Sequence, residues 1–193
     1  MQSRFTGTAP PYARHTVANY LGDMLALERH IAAPIDSQLD SPDHNEYPAA
    51  LEVISQIKTM TTNHQSALEG RLLAVGGDPV LGFKSIWSEL FGTGAAALNV
   101  LRKSKVSKSL RDDYAALSLA AIGYTMLHAT ALGLGDDATA RLAKRHLDDV
   151  NPVVVAIGRG IGSVVLQELQ ADGERVHVTA AALSERASRA ANN

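Results

Sequence analysis

The sequence contains no cysteine. Disulfides, thiolate zinc sites, iron–sulfur clusters and thiol catalysis are thereby excluded. Aromatics are scarce, at 5% of 193 residues, whereas 46% of the chain is hydrophobic. Small aliphatic cores of this kind suit helices packed close together. Neither sign of charge dominates: 18 Lys and Arg stand against 20 Asp and Glu, for a net charge of −2. Nucleic acid is not an expected partner, because phosphate neutralisation needs a basic face. The segment Met1–Arg14 is polar, holds Pro10 and Pro11, and lacks the apolar core of a signal peptide. The most apolar later run, Val153–Leu169, is interrupted by Arg159 and three glycines. It is shorter than the ~20 residues that a membrane span requires. The expectation is a soluble, cytoplasmic protein with no membrane partner, built as one domain with short appendages.

What is present is helical periodicity. No segment alternates well enough to be a strand. Before the turn Gly133-Leu-Gly-Asp-Asp137, apolar residues recur at three and four positions: Leu110, Tyr114, Leu117, Ala121, Tyr124, His128, Leu132. After it, Leu142, His146, Val150, Val153, Ile157 and Ile161 do the same. Gly135 suits the left-handed end of the first helix, and Asp136 suits the N-cap of the second. An earlier helix is expected over 16–39, with a kink or end at Pro34. Another starts at Pro48 and stops near Val75, before Gly76-Gly-Asp-Pro79. Between them, 40–47 reads as a polar loop. Residues 77–106 form a long connection with a shorter amphipathic segment, about Ser85–Lys103. Asn151-Pro152 should kink the last long helix.

The order and spacing of several stretches resemble the YciF-like branch of ferritin-like proteins. They are Trp87–Leu101, Leu110-Arg-Asp-Asp-Tyr114, Leu134-Gly-Asp-Asp-Ala138 and His146-Leu-Asp-Asp149, with Ala26-Leu-Glu28-Arg-His30 and Ala67-Leu-Glu69 ahead of them. The resemblance implies an all-α, ferritin-like four-helix bundle over 16–171. It further implies a long crossover from the second to the third helix that carries a short helix. An N-terminal arm (1–15) and a C-terminal helical extension (172–193) flank the bundle. It also implies a homodimer and a link with stress responses. The family's bundle holds two metal ions, but the positions aligned with its ligands are Met60, Ile57, Leu117, Ala120, Asp149 and Val150 here. Glu28 and Asp149 alone keep a metal-capable side chain, and no Glu-x-x-His sequence occurs.

Periodicity alone selects a different set. Glu28, His64, His128 and His146 fall on core stripes, one per helix. Counted at ~1.5 Å per residue, Glu28, His64 and His146 share a layer and His128 is displaced. A carboxylate with imidazoles suits iron or another transition metal. The same residues equally suit a buried hydrogen-bonded cluster without metal, with Tyr20, Tyr114 or Tyr124 as further partners. His15, His30, His44 and His177 read as surface or loop residues. Two functions follow. One is a non-catalytic, stress-associated bundle that acts by association, its di-iron site lost. The other is a metal-binding or oxidoreductase protein with an atypical His/Glu site.

Overall fold

The computed structural model describes residues 11–79, 105–179 and 181–183. All regular structure there is helical. Four long helices form the body: α1 (Pro11–Ala32), α4 (Pro48–Ala74), α5 (Val106–Gly133) and α6 (Asp137–Ala171), with short α2 (Ile35–Leu39) and α3 (Pro42–Asn45) between α1 and α4. Helix α1 starts at Pro11, inside the expected arm. It stops before Pro34, which lacks an N–H for the ladder. The expected loop 40–47 holds α3, with Pro42 in its first turn. Helix α6 continues through Pro152, which lies on the exposed face. The expected crossover helix, residues 1–10 and most of the C-terminal helix lie outside the described residues.

Each long helix packs on two neighbours, in the cyclic order α1, α4, α6, α5. Cross-helix bonds fix the directions. Gln38, just past α1, meets Asp113 near the start of α5. Arg71, near the end of α4, forks onto Asp136 in the α5–α6 turn. So α4 and α5 run the same way, and α4 ends at the opposite end of the bundle from where α5 begins. The core is aliphatic: Leu21, Leu25, Ile54, Ile57, Leu68, Leu117, Leu127 and Ile157 are fully buried. Gly135 ends α5 at φ +73°, as its place in the sequence requires. Asp136 caps α6 by accepting from the Thr139 N–H at 3.0 Å.

The inward line of α5 is Leu110, Asp113, Leu117, Ala120, Tyr124, Leu127 and Ala131. Tyr114 and Leu132, expected on the core stripe, are 43% and 55% exposed. The spacing 3-4-3-4-3-4 averages 3.5 residues and holds one face along the whole helix. The expected line drifted off that face, and it carried His128 with it.

Candidate functional site: a buried polar cluster

Midway along the bundle each long helix contributes a polar side chain to one layer. Glu28 comes from α1, His64 from α4, Tyr124 from α5, and His146 with Asp149 from α6. Glu28 and Tyr124 are 0% exposed, His64 2% and His146 5%. The His64 Nδ1–H donates to Glu28 Oε1 at 2.8 Å, and the Tyr124 hydroxyl donates to the same oxygen at 2.5 Å. His64 Nε2 faces Asp149 Oδ2 at 3.3 Å, where α6 reaches solvent. The His146 ring lies flat on His64, with centroids 3.8 Å apart and planes 8° apart. Tyr124 meets His146 edge to face, with centroids 5.0 Å apart.

Burial sets the electrostatics. It holds the His146 imidazole down at about 3, helped by the neighbouring His64 and Arg145. His146 is therefore neutral at neutral pH, and its ring stacks flat on that of His64. Burial also raises the Tyr124 hydroxyl well above its ordinary value, and the neighbouring Glu28 charge adds to this. Tyr124 stays a donor.

This donor set does not fit the two metal ions that the ferritin-like resemblance implies. Such a site takes a Glu from each of two helices and a Glu-x-x-His pair from each of the others. In this layer α4 presents Thr61 and His64, α5 presents Tyr124, and α6 presents His146 and Asp149. The Thr61 hydroxyl donates to the Ile57 carbonyl at 2.9 Å. The rings of His64 and His146 are parallel and overlaid, so their nitrogens do not converge on one point. Among the described residues no group of three or more His, Asp or Glu side chains is arranged to hold a metal ion. Met60, Ile57, Leu117, Ala120 and Val150 are apolar core residues.

Of the four residues singled out by periodicity, the fold brings Glu28, His64 and His146 together and leaves His128 apart. His128 Nδ1 bonds the Ala140 carbonyl at 2.8 Å, nearer the α5–α6 turn. Two atoms of the cluster, Glu28 Oε2 and His146 Nδ1, are buried without a protein partner. Among the described residues, three buried histidine or carboxylate side chains escaped the sequence reading. His44, expected on a loop surface, is 4% exposed. Asp113 carries no sequence signal beyond its place on the 3.5-residue line of α5. Glu168 accepts from the Ser107 N–H and hydroxyl, at 2.8 and 2.5 Å, and so caps α5 from the far end of α6.

No family model and no curated protein matches the sequence. Among solved structures, the chain is similar to the crystal structure of protein XCC3681 from Xanthomonas campestris pv. campestris. The TM-score is 0.68 at 17% identity, over 84% of this chain and 99% of that one. The likeness is one of fold.

Proposed function

We propose that the protein is a ferritin-like bundle, of the YciF-like kind, that acts by association and not by catalysis, with its core metal site replaced by a closed polar cluster. The observation that carries this reading is the outer face of α5. Ala115, Leu119, Ile122, Met126, Ala129 and Gly133 are all exposed and recur at 4-3-4-3-4. That is the spacing of a seam between two helices. Ile122 and Met126, at its centre, are 54% and 50% exposed. No Asp, Glu, Lys or Arg occurs from Tyr114 to Gly135. Helix α5 is thus apolar on two opposite faces, and its own bundle covers one of them.

A second copy of this chain suits that face best. An uncharged stripe is self-complementary across a two-fold axis, where any charge on it would meet its own like. Helices α5 and α6 are also long and apolar enough to cross a membrane, by length and composition alone. Spanning would strip α5 of the contacts that Asp113 and Tyr124 make with Gln38 and Glu28, so a homodimer is the better-supported reading. Stress association and a cytoplasmic place belong to the same reading through the family resemblance. The cysteine-free sequence provides the test. Ile122→Cys or Met126→Cys should cross-link to a covalent dimer under mild oxidation, and Lys144→Cys, on the charged face of α6, should not. Equal or absent cross-linking at all three positions contradicts the proposal.

A further inference from the structure

Gln38 of α2 meets Asp113 of α5 at the end of the bundle where α1 turns towards α4. The Gln38 amide donates to Asp113 Oδ1 at 3.1 Å. Asp113 is 4% exposed. The two atoms left over, Gln38 Oε1 and Asp113 Oδ2, are both buried and neither has a partner. With the carboxyl ionised both are acceptors, and neither satisfies the other. Each then bears the cost of lost hydration. A single proton resolves both.

We propose that Asp113 is held as the carboxylic acid and closes an acid–amide ring with Gln38, a clasp between α2 and α5 that opens when the proton is lost. In the ring the Gln38 N–H donates to Asp113 Oδ1, and the Asp113 O–H donates from Oδ2 to Gln38 Oε1. The charges around it do not favour the ionised form. Asp112, beside it on α5, is bonded by Arg111. On α2, Asp36 is paired with Lys58 of α4, and Asp40 stands at the C-cap. Lys108 of α5 and Arg159 of α6 are exposed. Burial pushes the Asp113 carboxyl up to about 6, against the lowering effect of the Gln38 bond, and the Asp112 charge adds to the rise. The folded value lies above the unfolded one. The clasp's stabilisation is therefore complete below the unfolded value of 3.8 and is lost as pH rises through about 6. The clasp lies one residue before Tyr114, where the uncharged stretch of α5 begins, and it joins the α1–α4 connection to that helix.

Asp113→Asn separates this from an ordinary carboxylate bond, because an amide–amide ring has the same two bonds and cannot ionise. The variant should melt no lower than wild type above about pH 7, and should lack the part of the wild-type loss that falls between about pH 4 and 7. A lower melting temperature than wild type at every pH would overturn the proposal. Carbon-13 NMR of the Asp113 side-chain carboxyl in the wild-type chain gives a second readout, independent of variant folding. A titration midpoint near 6 supports the clasp. A midpoint in the ordinary aspartate range, near 3.9, overturns it.

Discussion

His146 concentrates the chemistry of the core in one ring. It is buried and held at about 3, and it stacks on His64 at 3.8 Å. Its folded value lies below the 6.5 of free imidazole, so the unfolded chain binds the proton more tightly between the two. The stability it contributes is complete above about pH 6.5 and is lost as pH falls towards 3. His146→Leu should flatten the acid limb of the urea midpoint plotted against pH, and an unchanged limb would show that His146 does not set it. The sign is opposite to that of Asp113, so the two contributions partly offset one another between about pH 4 and 6. Glu28 bears on metal binding in the same way that His146 bears on acid stability. Its Oε1 already accepts from His64 and Tyr124. Elemental analysis of protein purified without a histidine tag should find less than about 0.1 transition-metal ion per chain after incubation with iron, zinc or copper. Glu28→Ala should leave that content unchanged. Stoichiometric metal that disappears in Glu28→Ala would restore the metalloprotein reading.

At the scale of elements, most helix ends were legible because they rest on local chemistry. Pro34 interrupts α1, Gly135 takes the left-handed turn after α5, and Asp136 caps α6. Arg71 adds a long-range bond to that same carboxylate at 2.6 and 2.7 Å, and this tie between α4 and the hairpin has no sequence signal. The register of α5 was legible only in part. Leu110, Leu117 and Tyr124 fit both a 3.5- and a 3.6-residue repeat, but only the shorter repeat buries Asp113 and exposes Leu132. A polar Asp on the inner line and apolar Leu119, Ile122 and Met126 on the outer one invert the pattern that sequence reading relies on. The candidate site was legible to the same extent. Helix rise places Glu28, His64 and His146 in one layer, whereas the choice of Tyr124 among three tyrosines depends on that register. His44 could not be read at all, because short α3 tucks its ring inward where a loop would expose it.

The whole molecule combines a closed polar core with an apolar outer face on α5. A cluster whose donors and acceptors mostly satisfy one another ties the four helices together at one level. The outer face has no such closure. Burying a large aliphatic side chain is worth about 1.5–3 kcal/mol, and Leu119, Ile122 and Met126 together offer several such contributions to an interface. The central claim is that this face joins two copies, and the solution mass tests it most directly. Sedimentation equilibrium of the full chain at about 10 µM, without detergent, should give twice the 20.5 kDa chain mass. Ile122→Asp should return it to the single-chain mass with the helical circular-dichroism spectrum intact, because an interface that excludes water cannot hold an unpaired charge. A wild-type chain that sediments at 20.5 kDa at that concentration would contradict the account.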